Sequence, residues 1–252
     1  MMKKIVIMGA TSGIGLKVAE TLASAGMKVG LAGRKTDVLR TLHERFPDNT
    51  EYETVDITRN DATMHLRNLI DRLGGMDCYL HVSGVGFENM DLDPDKELRT
   101  LETNVLGFAR MVGYAFRYFR DECSGKGHIA AVTSVAGTNG IGRLAAYSSS
   151  KCFDQCYLRA LRQLAVVKKL GIRFTDIRPG WVRTPLLDEK GSYPMTMQAD
   201  YVALRIIRAI LHKRRVCVID WRWNLVVGLW RLIPNCIWER IPVSVSSISS
   251  PH

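Results

Sequence analysis

Along the chain, short uninterrupted apolar runs alternate with longer stretches in which apolar residues return every three or four positions. The first such pair is the run Ile5, Val6, Ile7, Met8, followed by helical spacing over residues 13–26. The pattern repeats, predicting further strands at 29–32, 51–55, 77–82, 128–133, 172–177 and 216–219. Helices are predicted around 37–46, 60–73, 96–122, 146–170 and 199–211. Strands joined through crossover-length helices require a parallel sheet covered on both faces, so the expected fold is α/β, doubly wound and Rossmann-like. No internal repeat or long linker interrupts it, and residues 1–220 are expected to form one domain with residues 221–252 as a C-terminal extension.

The extension opens with the aromatic and apolar segment from Trp221 to Ile233, which Pro234 should interrupt before Ile237 and Trp238. Its apolar run is shorter than the roughly 20 residues of a membrane span. Trp and Arg set among apolar residues suit a membrane interface, but the segment could equally pack on the body or a second subunit, or shape substrate entry. The Ser-rich stretch from Ser244 to Ser250 reads as a loose terminus.

With 46% hydrophobic and 24% charged residues among 252, the chain can bury a substantial core and is not globally disordered. Its first residues offer neither a membrane span nor a signal-cleavage pattern, so the body is expected in the cytoplasm, with the extension a candidate for contact with the inner face of a membrane. The six cysteines, at 78, 123, 152, 156, 217 and 236, have no metal-ligand spacing and read as reduced structural thiols; Cys152 and Cys156 lack further ligands to complete a site. No metal is expected. A net charge of +10 would attract a phosphate-bearing cofactor, a nucleic acid or an anionic membrane. Without zinc-finger spacing, a long basic block or an RNA-binding aromatic signature, nucleic acid is not an expected partner.

Candidate chemistry begins at the segment Gly9, Ala10, Thr11, Ser12, Gly13, Ile14, Gly15, directly after the first strand. Glycines there allow a tight turn and close approach of a pyrophosphate, whose charge the following helix N-terminus favours. The second strand runs into Gly33 and Arg34. Gly33 supplies no acid for the ribose hydroxyls of NAD, whereas the Arg34 guanidinium suits the extra phosphate of NADP, so NADP(H) is the expected cofactor. Arg34 could also be an ordinary surface charge. Asp56 and Ile57, after the third strand, could place a carboxylate near the adenine or simply form a cap or turn before the next helix.

Tyr147 and Lys151 lie four apart on a predicted helix and therefore share a face, so the ammonium can bias the phenol toward ionisation. With Ser134 at the end of the fifth strand, they form a candidate proton-transfer set for reducing a ketone or aldehyde with cofactor hydride. Alcohol oxidation uses the same set in reverse. Each residue alone has a structural explanation: Asn104 in a kinked helix, Ser134 in a turn, Tyr147 and Lys151 as an amphipathic pair. A non-catalytic NADP-binding regulator is the alternative outside enzymes.

These ordered motifs resemble the short-chain dehydrogenase/reductase family over about residues 3–219. Gly9, Gly13 and Gly15 resemble its glycine signature; Asn104 within Asn-Val-Leu-Gly, Ser134, Tyr147 and Lys151 resemble its catalytic set. The resemblance implies that Asn104 supports a water-mediated proton relay to Lys151. It also implies that Pro179, Gly180 and Val182 border the nicotinamide and that Thr184 meets its carboxamide. Gly84, Asn104, Tyr147 and Lys151 join the implied cofactor contacts. The family further implies a homodimer or homotetramer formed through long helices near residues 98–119 and 153–170. His81, Val82, Ser83 and Gly84 depart from the family's Asn-Asn-Ala-Gly pattern: Val82 replaces a polar amide, and His81 is expected to be a buried structural residue. Substrate selection is expected from residues 137–144 and 186–197. There Leu186, Leu187, Met195 and Met197 could wall off a small hydrophobic carbonyl or alcohol substrate, or pack on the domain.

Overall fold

A computed structural model describes residues 3–187 and 193–243. The Ser-rich stretch and the part of the substrate segment around Gly191 lie outside the described residues. The elements run β1 (Lys4–Met8), α1 (Gly13–Ser24), β2 (Lys28–Gly33), α2 (Thr36–Arg45), β3 (Thr50–Thr54), α3 (Ala62–Leu73) and β4 (Cys78–His81). They continue with α4 (Pro94–Leu101), α5 (Phe108–Asp121), β5 (Lys126–Val132), α6 (Ala145–Val167), β6 (Gly171–Arg178), β7 (Val182–Arg183), β8 (Met197–Gln198) and α7 (Ala199–Leu211). The last are β9 (Val216–Val218), α8 (Trp221–Trp230) and α9 (Asn235–Trp238).

Seven strands form one parallel sheet in the order β3-β2-β1-β4-β5-β6-β9. The doubly wound expectation holds, and its reason is visible in β1. Ile5 and Ile7 enter the core under α1 and α7, while Val6 and Met8 enter the core under α3, α5 and α6. A strand buried on both faces has no polar side to alternate with, which is why the run reads as uninterrupted. The strand order reverses between β1 and β4, opening a crevice at the carboxyl ends of the strands.

The helix expected over 96–122 is in fact α4 and α5 joined by a π-helical turn at Glu102–Gly107. One widened turn of this kind displaces the helical faces on either side, a shift that residue periodicity does not resolve. The pair β7–β8 also escaped the pattern, because two-residue strands carry no period. The cysteines need correcting: Cys78 and Cys217 are buried, but Cys152, Cys156 and Cys236 are exposed and are not core thiols. On an amphipathic helix the outward positions need not be charged, so composition alone misassigned them.

The extension packs on the body. Trp223 and Val227 of α8 enter the core that contains α1 and α7. Trp238 Nε1 donates to Gly140 O at 2.7 Å, and Asn139 Nδ2 donates to Trp230 O at 3.2 Å. Pro234 interrupts the segment as expected, at the N-terminal boundary of α9.

Candidate active site

A cleft of about 880 Å³ opens at the carboxyl edge of the sheet. The turn after β1 forms its floor. Gly9 has a φ of +101°, and a Cβ there would lie 2.7 Å from Ser83 N. A Cβ on Gly15 would sit 2.0 Å from Gly9 O, so α1 can start against the turn only with glycine at that position. Thr11, Ser12, Gly13 and Ile14 line the cleft beside Gly9, whereas Gly15 lies beneath the loop.

At the end of β2, a Cβ on Gly33 would come within 2.7 Å of Thr11 Cγ2, which leaves no room for a carboxylate side chain. Arg34 is exposed and lines the cleft beside Asp56 and Ile57. Burial raises the Asp56 carboxyl, but bonds from Thr58 N–H and Oγ1 to Oδ1, at 3.0 and 2.8 Å, and the positive field of Arg34 outweigh it and hold the group below its ordinary range. Asp56 thus closes a turn ahead of α3, whose N-terminal boundary is Asp61, while also facing the cleft. Pro179, Gly180, Val182 and Thr184 line the opposite wall, and Gly84 lines the crevice between them.

Ser134, Tyr147 and Lys151 meet in the same cleft. Ser134 ends the strand region of β5, and its Oγ accepts from Ala136 N–H at 3.1 Å. Tyr147 stands in the first turn of α6, one turn before Lys151, whose Nζ lies 5.9 Å from the phenol ring centre. Asn104 is not on the cleft surface. Buried in the π-helical turn, it accepts from Val85 N–H at 2.9 Å and donates to Val85 O at 2.7 Å and to Ser150 Oγ at 3.0 Å. A Cβ on Gly84 would touch both Asn104 Oδ1 and Lys151 Nζ, at 3.2 and 3.4 Å, so the amide lies directly behind the Tyr147–Lys151 pair.

The substrate end is only partly where the sequence placed it. Leu186 and Leu187 line the cleft, as do Ile141, Arg143 and Leu144. Met197 is buried in the core and Met195 packs against it, so neither forms the expected wall. Trp181, Tyr193, Trp223 and Trp230 line it instead: Tyr193 belongs to the expected substrate segment, Trp223 and Trp230 to the extension considered for shaping substrate entry, and Trp181 is not among the expected wall residues. The available signal was Gly180: its missing side chain admits the Trp223 indole, which a Cβ would meet at 2.1 Å.

His81 is buried under α5, with Nδ1 2.9 Å from the Tyr79 hydroxyl and its ring edge against Phe108. Burial, and secondarily the charge of Lys151, push its pKa down to about 3. In place of a conserved-type amide, Val82 and Ser83 anchor this segment by donating backbone N–H groups to Met8 O.

The short chain dehydrogenase family model matches residues 3–193. An uncharacterized oxidoreductase of Myxococcus xanthus is 28% identical over 241 residues, covering 92% of this chain and 93% of that one. Another, from Staphylococcus saprophyticus, is 31% identical over 192 residues, with 73% and 80% covered. Among solved structures, ElxO with NADP bound superposes with a TM-score of 0.77 at 20% identity, covering 89% of this chain and all of that one.

The His81 ring should stay neutral down to about pH 4, with its carbon-bound proton shifts constant in an NMR titration from pH 8. A folded pKa below the unfolded value near 6.5 means that the unfolded chain binds the extra proton, so this ring's contribution to stability is complete above pH 6.5 and falls as pH drops toward 3. A ring titrating near pH 6.5 in the folded protein would contradict this environment.

Proposed function

This chain belongs to the short-chain dehydrogenase family, and from that premise we propose that it reduces a hydrophobic ketone or aldehyde to an alcohol using NADPH. The observation that carries the reading is the meeting of Tyr147, Lys151 and Ser134 in one cleft above the glycine turn. The cradle fits a dinucleotide: Gly9 to Gly15 would receive the pyrophosphate at the start of α1, with Gly84, Pro179, Gly180, Val182 and Thr184 bordering the nicotinamide end. Gly33 has no space for the acid that would favour NAD, and Arg34 is exposed on the cleft for a 2′-phosphate. When bound, NADPH supplies the hydride.

Tyr147 holds the proton destined for the carbonyl oxygen, and Ser134 donates a hydrogen bond to that oxygen as it gains negative charge. Lys151, cationic and buried, favours the ionised phenol that remains. Asn104 fixes the wall behind Lys151 through Val85 and Ser150, and with a bound water it would support the relay that reprotonates the lysine. The reverse reaction uses the same groups, with Tyr147 as the base. The aromatic wall of Trp181, Trp223 and Trp230 supports a hydrophobic substrate. In this reading residues 1–220 form the catalytic domain and the extension from 221 completes its cleft. A homodimer or homotetramer would use the outer faces of α4, the π-helical turn with α5, and α6, where Leu98, Leu106, Val166 and Val167 are exposed.

The extension also offers a lipid-facing surface. Trp221, Leu225 and Leu229 share one stripe of α8 and are 75%, 60% and 55% exposed, continued by Leu232 at 78%. Arg231 and Arg222, the latter paired with Asp220, adjoin the stripe in sequence, and the opposite face of α8 turns Trp223 into the cleft. Exposed apolar residues with basic flanks suit peripheral contact with an anionic membrane. Among the described residues no helix is long and apolar enough to cross one.

NADPH oxidation with a panel of hydrophobic ketones and aldehydes should be measurable by absorbance, and Tyr147→Phe should lower kcat at least 100-fold. Cofactor binding without turnover across the panel, in either direction, would favour a regulator. Arg34→Ala should raise the KM for NADPH about 10-fold or more while barely changing that for NADH; an equal effect on both would remove Arg34 from phosphate recognition. Full-length protein should sediment with phosphatidylserine vesicles, and the double variant Leu225→Asp, Leu229→Asp should not; equal sedimentation would exclude the α8 stripe as the contact.

A further inference from the structure

The proton-transfer set leaves unused the charge directly behind it. Lys151 Nζ donates to Asp154 Oδ2 at 3.0 Å, three residues further along α6. Both side chains are out of water: Lys151 is 5% exposed and Asp154 0%. Asp154 Oδ1 makes no hydrogen bond, so Lys151 provides the carboxylate's direct stabilisation. A carboxylate withdrawn so completely persists only where a cation or several donors meet it, and loss of that cation leaves an uncompensated buried charge.

Every element around the pair contributes to its field. From α6 itself comes the Tyr147 ring, 5.9 Å from Nζ. From β5 comes the Val132 carbonyl, 3.5 Å from Nζ. From β6 come Asp176, whose negative charge acts on both Lys151 and Asp154, and Arg178, which pairs with Asp176. Thr133 satisfies the other Asp176 oxygen, at 2.7 Å. From β4 comes His81, held neutral. Arg178 is thus neutralised by Asp176, and the remaining lysine charge is offset by Asp154.

We propose that Asp154 is a positioning residue of the active site, holding Lys151 from behind and offsetting its charge, and so setting how strongly the ammonium favours ionised Tyr147. Lys151 faces two requirements. It must stay protonated inside the protein, which Asp154 and Asp176 support together: against a desolvation that lowers it, the nearby acids keep the lysine above its ordinary value. It must also project positive charge toward the phenol, which the Asp154 carboxylate weakens. Burial keeps Asp154 itself up at about 6 in spite of the lysine. The offset is therefore in place at neutral pH and is withdrawn as Asp154 takes up its proton below about pH 6.

This role rests on Tyr147 being the proton donor, and pH profiles separate the two claims. If a protonated donor is required, kcat/KM for NADPH-dependent reduction should have an alkaline limb that reports loss of that proton. With Asp154→Asn the field of Asp176 still supports the buried ammonium, and the lysine charge acts on the phenol without its nearest offset, so this alkaline limb should move to lower pH, by on the order of one unit. Asp154→Glu keeps a carboxylate beside Lys151 and should leave the limb within a few tenths of a unit of the wild type. If Asp154→Asn does not fold, Asp154→Ser, with room for a water, makes the same comparison. A limb that stays in place, moves to higher pH, or moves equally in the charged and neutral variants would overturn the proposal, since a purely structural role would change stability and not the apparent pKa. Undiminished turnover in Tyr147→Phe would overturn both claims; turnover lost there, with a limb indifferent to residue 154, would overturn only the role of Asp154.

Discussion

An all-parallel sheet covered on both faces is the constraint on which the rest of this molecule depends. Each strand must be followed by a crossover before the next can pair, so all seven strands deliver their carboxyl ends to the same edge. Residues far apart in the chain meet there without any contact being designed for each pair. Gly9 after β1, Arg34 after β2, Gly84 after β4, Ser134 after β5 and Pro179 after β6 all lie within one to three residues of the carboxyl end of their strand and line the cleft. Their side chains are released from sheet packing at the point where the crevice opens.

A second tension lies in the charges held below that edge. Burying Lys151, Asp154, Asp176 and Arg178 together is tolerable because each ion has an opposite neighbour within hydrogen-bonding reach. Close pairing of this kind localises the field. It concentrates the influence of the cluster on nearby groups such as Tyr147 and His81, and leaves the wider cleft to be shaped by the exposed basic residues at its rim. The net charge of +10 and the reactivity of the site are thus set by separate populations of residues.

How much of this could be read from the chain differs by feature. The sheet and its flanking helices were legible because buried strands and amphipathic helices have distinct periods. The glycine turn, Ser134, Tyr147 and Lys151 were legible because their order along the chain matches the order of strand ends. The π-helical turn was not, since one widened turn alters the face of a helix without altering its apolar content. Asp154 had a visible position, three residues after Lys151, but sequence does not say whether an acid on a half-buried helix points inward. Met195 and Met197 look like wall residues until β8 is known to turn Met197 inward. The tryptophans announced themselves as unusual, yet whether they faced lipid, core or cleft depended on the direction in which the chain left β9.

The contact between Gly180 and Trp223 has a consequence in time as well as in space. The loop carrying Gly180 follows β6, whereas Trp223 arrives only after α7 and β9 have been made. During synthesis the crevice, the glycine turn and Tyr147 can assemble while the Gly180 surface is still bare, and α8 then closes over it as a late step. The surface at Gly180 therefore waits for the C-terminal region of its own chain to cover it, and the aromatic part of the cleft wall is completed after the elements that carry Ser134, Tyr147 and Lys151.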